Sequence, residues 1–431
     1  MRQKLLRNLR SIWFYTAISV YAFALSYLWN SMGPIILPAL VPPLAPEALK
    51  GTALGLLGAV GLIVAVIVQP VAGAVSDRST ARWGRRRPYI LVGALLNLLF
   101  LAIIAASGNY WLLFAGYIGL QFVSNVAHGP YQGLIPDLVP EQRLGTASGA
   151  KNLAEILGIV VCSQFIAKLL QPYVSGQGQI WLWLTFGSIM GIIFVTMLIT
   201  ILAVKEQPLT KSPDDRPVLA TILGTFNVDV QGYPDFMWLL VSRFFILVGV
   251  NLVRNFAEYF IKDVIEPVNY VTVAGNLLAI LGVAILFVVF PAGLISDRLG
   301  RKRLVVVSGL LAALGSFLLI FTRGYNDLFI YGGIIGLAMG IFLSTNWALA
   351  IDLIPRDEGG RYLGISNLAT AGAGVAAGFG GPLLDFFNAR QANQGYTALF
   401  IAATLCCLLG TVLLVKVREE RRPAGKVGAD C

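Results

Sequence analysis

The chain has 431 residues, of which 57% are hydrophobic and 13% charged, and its mean hydropathy is +0.76. A soluble protein of this size exposes far more polar surface, so the composition argues against a soluble enzyme and predicts an all-α membrane protein. The formal net charge of +10 would also suit a nucleic-acid-binding protein, but the positions of the basic residues give it another explanation.

Hydropathy between helix breakers predicts twelve transmembrane helices, since blocks of about 20 apolar residues cross a hydrocarbon core of about 30 Å. The predicted spans are about 12–40, 51–76, 88–107, 110–136, 144–171, 178–204, 236–262, 269–295, 303–322, 326–350, 361–388 and 395–416. The stretch "NSMGPIILP" at 30–38 predicts a kink in the long first span near Gly33 and Pro34. We expect no cleavable signal peptide, because the first apolar run is too long for one.

Lysine and arginine are distributed unevenly between the two sides that twelve crossings define. With the N-terminus in the cytoplasm, 24 of the 32 basic residues fall in inner segments and five in outer segments. Positive residues accumulate on the cytoplasmic side of membrane proteins. Both termini are therefore predicted to be cytoplasmic, in the cell inner (plasma) membrane, and no nucleic-acid partner is expected.

The longest polar connection follows the sixth predicted span and divides the spans into two sets of six. We predict an N-terminal six-helix bundle over 1–204, a cytoplasmic linker over 205–235, a C-terminal six-helix bundle over 236–416 and a cytoplasmic tail over 417–431.

The two halves repeat one another in sequence. "DLVPEQRLGTASGAKNLA" at 137–154 aligns with "DLIPRDEGGRYLGISNLA" at 352–369, with eight identities in register. "GAVSDR" at 73–78 likewise matches "GLISDR" at 293–298. Duplication predicts two pseudo-symmetric bundles, which can rock about a central site and expose it to one side at a time.

The repeated loops combine acids with arginines. We predict that they form a cytoplasmic gate, because an acid at a helix end can pair with the arginines and cap the next helix. The predicted gate residues are Asp77, Arg78, Arg85, Asp297, Arg298 and Arg301. The alternative is that the arginines only fix orientation, which is our interpretation of Arg86 and Arg303.

The loop pattern G-x-x-x-D-R-x-G-R-R/K, which residues 293–303 fit without a gap, resembles the signature of the major facilitator superfamily. "GAVSDRSTARWGRRRPYI" and "HGPYQGLIPDL" at 128–138 resemble the sucrose/proton symporter branch of the glycoside–pentoside–hexuronide:cation symporters. The resemblance implies the major facilitator fold and a secondary transporter. It also implies a sucrose- or maltose-like disaccharide, or a related glycoside, usually moved with a proton.

The chain departs from this branch in the fourth span. Plant symporters carry an acid, associated with proton coupling, where this chain has Gln121. Because glutamine does not titrate, either coupling rests on Glu155 or Glu258, or the protein is an uncoupled facilitator.

Ionisable residues inside spans are costly and mark functional sites. Glu155 lies about midway along the fifth span, Lys151 is one turn earlier on the same face, and Asn152 is beside them. We predict that all three bind substrate and that Glu155 also carries the coupling proton. The alternative is a buried structural ion pair.

The fourth span carries Gln121, Ser124, Asn125 and His128 at helical spacing along one face. Such a stripe suits a polyhydroxyl substrate, because each hydroxyl must regain the hydrogen bonds it loses from water. We predict that Gln121 and Asn125 bind substrate and that His128, the only histidine, takes part in proton coupling. The alternative is that the stripe joins neighbouring helices.

The seventh span carries Arg254 and Glu258 four residues apart, and we predict that they pair and either contact substrate or close an outer gate. Aromatic rings next to asparagines are further candidates, because rings stack on sugar faces. These predicted substrate-binding residues are Tyr27, Asn30, Asn346 and Trp347.

Two other functions compete with sugar symport. One is a facilitator or exporter of another small solute, and the other is a membrane sensor that binds sugar without moving it. No enzyme is expected, because no metal-binding or nucleophile motif is present. No cofactor or metal is expected either, and the energy for transport is expected to come from a proton or cation gradient. The expected partners are a sugar and membrane lipid, and the expected oligomeric state is a monomer.

Overall fold

A computed structural model describes residues 2–140, 143–206, 232–354 and 359–418. These residues form twelve long helices and no strand. In chain order the helices are α1 Arg2–Ser31, α2 Lys50–Asp77, α3 Arg87–Ala105, α4 Tyr110–Leu138, α5 Leu144–Val174, α6 Gln179–Ala203, α7 Pro234–Phe260, α8 Tyr270–Leu299, α9 Arg301–Leu318, α10 Tyr325–Asp352, α11 Gly359–Gly378 and α12 Gln394–Leu413. The predicted linker and tail lie outside the described residues except at 205–206, 232–235 and 417–418.

The predicted all-α membrane fold is confirmed. Ten helices of the described residues are long and apolar enough to cross a membrane. The other two predicted spans correspond to α4, which carries the polar stripe, and to α11, which is rich in glycine and alanine. The span that contains α11 is also interrupted, because a break at Phe379 separates α11 from the short helix Gly380–Asn388.

The kink predicted in the first span is a change of helix type. After α1 the chain continues as the π-helical turn Met32–Ile36 and then as α-helix over Leu37–Leu40. Pro34 lacks the N–H that a regular α-helix would use at this point, and π-turns accommodate such a defect without ending the helix.

The two halves pack their helices in the same way. In the first half α1 packs on α5 and α6, α4 packs on α2 and α3, and α3 packs on α6. The same pairs, each shifted by six helices, occur in the second half. Between the halves, α2 packs on α11 and α5 packs on α8. These two contacts are equivalent, because α8 is the counterpart of α2 and α11 is the counterpart of α5. This pairing is what two pseudo-symmetric six-helix bundles require.

The bundle has two ends, which we name by their residues. The basic face carries the loop from Asp77 to Arg87 and the turn from Asp297 to Arg303, and the far face, at the opposite ends of the helices, carries Lys50. The two bundles meet closely near the far face.

Glycine makes this meeting possible. A Cβ atom on Gly55 would overlap the carbonyl oxygen of Gly378, and one on Gly381 would overlap that of Gly51. On the other side of the interface, a Cβ atom on Gly275 of α8 would overlap the carbonyl oxygen of Ser163 of α5. Main chains therefore touch directly across both interbundle contacts.

Candidate functional site

A cavity of about 790 Å³ lies between the two bundles. It follows α2 from Leu54 to Gly73, which is about 28 Å of helix, and the glycine contacts close its far-face end. Its polar lining residues include Asn30, Gln69, Tyr117, Gln121, Asn125, His128, Gln132, Asn251, Arg254, Asn255, Asn367 and Thr370. Of the residues the structure describes, no aspartate or glutamate lines it.

The first-bundle wall is the polar stripe of α4. Gln121 Nε2 donates to the Tyr117 hydroxyl at 2.9 Å, and Asn125 Nδ2 donates to the Gln121 main-chain oxygen at 2.8 Å. The His128 and Gln132 Nε2 atoms are 3.2 Å apart. The structure thus brings Gln121, Asn125 and His128 to one wall, as the 3–4 spacing predicted.

The second-bundle wall is formed by α7, on which Asn251, Arg254 and Asn255 face the cavity. Arg254 Nη2 donates to Oδ1 of Asn30 on α1, at 2.5 Å. Asn30 also donates to the main-chain oxygen of Ser26 at 2.8 Å, which orients its amide. This hydrogen bond between Arg254 and Asn30 joins the two bundles at the level of the cavity.

The predicted pair of Arg254 with Glu258 is wrong. Glu258 is 1% exposed, and neither of its carboxylate oxygens has a hydrogen-bond partner. It lies one turn beyond Arg254, towards the far face, and does not line the cavity. Helical spacing permitted the pair, but the arginine instead reaches Asn30 on the opposite bundle.

The pair of Lys151 and Glu155 does form, with Lys151 Nζ 2.9 Å from Glu155 Oε1. The side chains of Lys151 and Glu155 are 21% and 37% exposed, and the neighbouring Asn152 is exposed. None of these three residues lines the cavity. The Glu155 main-chain oxygen accepts a hydrogen bond of 2.6 Å from Ser26 on α1. In this conformation Lys151, Asn152 and Glu155 therefore do not belong to the cavity wall, where the sequence predicted them.

Three further predicted substrate residues are also off the cavity wall. Tyr27 is fully buried, and its ring lies 6.0 Å from that of Phe23. Asn346 is fully buried and accepts a hydrogen bond from Arg243, whose guanidinium lies 5.5 Å from the Trp347 ring. The aromatic residue that does line the cavity beside Asn30 is Trp29.

On the basic face, the ion pairs that the structure shows for Arg85, Arg86 and Arg301 each lie within one bundle. In the first bundle Arg86 is central: it is 2.5 Å from Asp77, 2.9 Å from Asp137 and 2.9 Å from Ser76 Oγ. Arg85 also pairs with Asp137. Arg78 is half-buried at the C-terminus of α2.

The second bundle repeats the arrangement. Arg301 lies 3.5 Å from Asp297 and 2.6 Å from Asp352, while Arg298 is exposed. Sequence reasoning missed Asp137 and Asp352, although they recur in register in the repeat, and it treated Arg86 only as an orientation signal. A gate between bundles at this face stays a prediction.

The far face carries polar contacts that do join the bundles and that the sequence did not reveal. Lys50 Nζ lies 2.8 Å from Asp263 Oδ2, and the Tyr396 hydroxyl also donates to this carboxylate. Asp385 accepts hydrogen bonds from the main-chain N–H groups of Gly51 (3.0 Å) and Thr52 (2.6 Å). Asp385 thus caps the first turn of α2 from the other bundle.

The chain is similar in sequence to known membrane transporters. A family model described as MFS/sugar transport protein matches residues 48–418. The lactose permease of Lactobacillus helveticus is 24% identical over 79% of this chain and 54% of that protein. The sucrose transport protein SUT1 of Oryza sativa subsp. japonica is 31% identical over 28% of this chain and 25% of that protein. The multi-drug resistance efflux pump PmrA of Streptococcus pneumoniae is 24% identical over 85% of this chain and 88% of that protein.

Solved structures share the fold. The nucleoside transporter NupG superimposes with a TM-score of 0.73 at 14% identity, covering 94% of this chain and all of that one. A bacterial homologue of the lysosomal transporter Spinster, described as inward-facing, gives a TM-score of 0.70 at 15% identity, over 95% of both chains.

Proposed function

The chain belongs to the family of MFS/sugar transport proteins and is a multi-pass membrane transporter, and from this premise we propose that it moves a sugar or glycoside by alternating access, coupled to protons. The proposed membrane is the cell inner membrane, with the basic face and both termini in the cytoplasm. The present conformation is then inward-facing, since the cavity is closed at the far face.

The observation that carries this proposal is the amide-rich cavity between two pseudo-symmetric bundles. Its walls offer Gln121 and Asn125 on one side and Asn251 and Asn255 on the other. Amides both donate and accept, so they suit the hydroxyl groups of a sugar, which also do both. Its volume of about 790 Å³ falls in the range of small-molecule sites, about 300–1,000 Å³.

Glu258 is the residue to which we assign proton coupling. Acids inside transmembrane helices mark proton relays in transporters, and Glu258 lies between the cavity and the closed far face without a partner. Opening of the far face would expose it to the outside, whereas Glu155 is already paired with Lys151. His128 remains a second candidate on the cavity wall.

An uncoupled facilitator or an exporter is the second candidate function. Gln121 favours it, because this cavity residue, hydrogen-bonded to Tyr117, does not titrate. The similarity to an efflux pump is consistent with export.

Transport into proteoliposomes tests the proposal. The purified chain is assayed with labelled sucrose, maltose and lactose, with and without an inward proton gradient. We expect the gradient to drive accumulation of at least one sugar and an ionophore to abolish it. Transport that equilibrates without accumulation would support the facilitator, and no transport or binding of any sugar would refute sugar transport.

The variant Glu258→Gln tests the proton assignment. We expect it to lose gradient-driven accumulation and to retain exchange of labelled for unlabelled sugar, because exchange needs no net proton movement. The matched variant Glu155→Gln should keep accumulation. If Glu155→Gln lost accumulation and Glu258→Gln kept it, proton coupling would be assigned to Glu155 instead.

A further inference from the structure

We propose that the first bundle binds an anionic phospholipid in a groove on its membrane-facing surface, between the basic-face ends of α1 and α6. The groove has a volume of about 490 Å³ and shares no lining residue with the central cavity. The inference goes beyond sugar transport, since it names a lipid partner and holds whatever solute the carrier moves. It follows from the shape of the groove, from the charge at its end and from a contrast with the second bundle.

The groove is apolar along its whole length. Its α6 residues recur every three or four positions, so they form one face of that helix. This wall is about 12 Å long, which is most of the roughly 15 Å of hydrocarbon in one leaflet. The groove therefore has the depth and the chemistry to hold part of an acyl chain. Its lining residues are Trp13, Val195, Leu198, Ile199, Leu202 and Ala203.

Positive charge surrounds the α1 side of the groove entrance. The chain before Trp13 contains Arg2, Lys4, Arg7 and Arg10 and no acid, and Arg10 precedes Trp13 by about one helical turn. Tryptophan accumulates at the membrane–water interface, so Trp13 places the entrance at the level of the lipid headgroups. A cluster of four or more basic residues beside a transmembrane helix favours anionic lipid over zwitterionic lipid.

Lys205 supplies a further cation from the α6 side. It is exposed, and it follows Ala203, the last residue of α6, by two positions. The adjacent acid does not neutralise it. The carboxylate of Glu206 instead accepts hydrogen bonds from the main-chain N–H groups of Arg86 and Arg87, at 3.0 and 3.1 Å, at the start of α3. Lys205 is therefore available to pair with a lipid phosphate at the end of the groove.

The second bundle has the same two residue types in the equivalent place, but there they contact each other. Trp238 lies in the first turns of α7, the counterpart of α1, and Lys416 follows α12, the counterpart of α6. The Lys416 ammonium is 3.8 Å from the centroid of the Trp238 ring, so the lysine covers the ring. Trp13, in contrast, is 57% exposed and lines the open groove. The first bundle thus leaves both its ring and its lysine for a ligand.

A photocrosslinking amino acid at Leu202 tests the proposal. The full chain is reconstituted in membranes that mix phosphatidylethanolamine with a minority of phosphatidylglycerol, and mass spectrometry identifies the lipids that become attached. We expect the ratio of phosphatidylglycerol to phosphatidylethanolamine adducts to exceed the bulk ratio at least about fivefold, which corresponds to the roughly 1 kcal/mol that one basic residue contributes at an anionic surface. A ratio equal to that of the bulk membrane would overturn the proposal.

The matched control places the same amino acid at Val412, near the end of α12, which is 63% exposed where Leu202 is 70% exposed. Because Lys416 already covers Trp238 in the second bundle, adducts at Val412 should follow the bulk composition. Equal enrichment at the two positions would show a general preference of the basic face and would overturn the assignment to the groove.

Substitutions at Lys205 assign the headgroup. In the protein labelled at Leu202, Lys205→Gln should lower the enrichment about fivefold, whereas Lys205→Arg should keep it, because it keeps the charge. Lys416→Gln should leave the enrichment at Leu202 unchanged. Lys205 is exposed, so neither of its substitutions should alter the unfolding temperature. Unchanged enrichment in Lys205→Gln would overturn the assignment of the phosphate to this lysine.

Competition with a soluble anion separates lipid binding from simple phosphate binding. Excess inorganic phosphate should leave the enrichment at Leu202 unchanged, because the groove also holds the acyl chain. Loss of the enrichment would assign the cations to a free anion and overturn the lipid proposal. All of these measurements are made without sugar, so their outcome does not depend on the proposed function.

Discussion

The two faces of the molecule both carry charged contacts, but these contacts join different partners. On the basic face, Arg86 and Arg301 each link helices of a single bundle. On the far face, Lys50 and Asp385 each link one bundle to the other. Alternating access keeps each bundle intact and separates the bundles at one face at a time. Basic-face contacts should therefore determine stability of the fold, and far-face contacts should determine which conformation is populated.

The largest expected effect is on stability, from Arg86→Gln. Its side chain is 7% exposed and pairs with both Asp77 and Asp137. Its loss leaves Asp77 without this partner and Asp137 with Arg85 alone, at a cost of about 2 kcal/mol. Thermal unfolding of the variant and of the unmodified protein in detergent measures this loss of stability. Arg301→Gln should cost about 1 kcal/mol, because the side chain of Arg301 is 27% exposed and those of its partners Asp297 and Asp352 are 66% and 37% exposed. Equal losses would contradict the expectation that the more buried arginine, Arg86, stabilises the fold more than Arg301 does.

The next effect is on conformation, from Gly55→Ala. The added methyl group overlaps the Gly378 carbonyl oxygen only when the far face is closed. Overpacking costs about 1–3 kcal/mol, so the equilibrium should shift roughly 5- to 150-fold towards a far-face-open form, with unfolding unchanged. Distances between spin labels at Leu49 and Gln391 report this shift.

A control for the glycine variant is Gly187→Ala, at an exposed glycine of α6 whose Cβ position has no neighbour within 4 Å. It should leave the label distances unchanged. A Gly55→Ala protein that keeps the closed distances would show that the main-chain contact is not required for closure.

The smallest effect is expected from Lys50→Gln, which removes one interbundle ion pair and leaves the Asp385 hydrogen bonds. The lysine and aspartate side chains are 11% and 19% exposed, so the shift towards the far-face-open form should be about 1 kcal/mol, or roughly fivefold. Glu47→Gln removes an exposed pair within one bundle and should shift nothing measurable. The same spin labels compare the two, and equal shifts would contradict the distinction between faces.

Much of the fold could be predicted from sequence because a membrane imposes length and apolarity on every crossing. The span predicted at 236–262 is α7, Pro234–Phe260, and that at 326–350 is α10, Tyr325–Asp352. The span predicted over 361–388 corresponds to two helices, α11 and Gly380–Asn388, which are separated at Phe379. The break follows Gly378, where α11 touches the main chain of α2, a contact that hydropathy does not encode.

The candidate site could be predicted only in part, for a related reason. Spacing along one helix identified the polar face of α4, because that face is a property of a single segment. Spacing did not reveal that Arg254 would prefer Asn30, 224 positions away, over Glu258 on its own helix. Such choices depend on how the bundles meet, as do the contacts of Lys50 with Asp263 and of Asp385 with α2.

The glycine seal near the far face also bears on leakage. Side chains exchange rotamers within picoseconds to nanoseconds, whereas whole helices move on microsecond to millisecond timescales. A barrier in which Gly55 touches Gly378 by main chain has no rotamer that can swing aside and admit a file of water. We therefore expect the resting carrier to conduct no protons between transport cycles, so that a gradient across the membrane persists even when many copies stand idle.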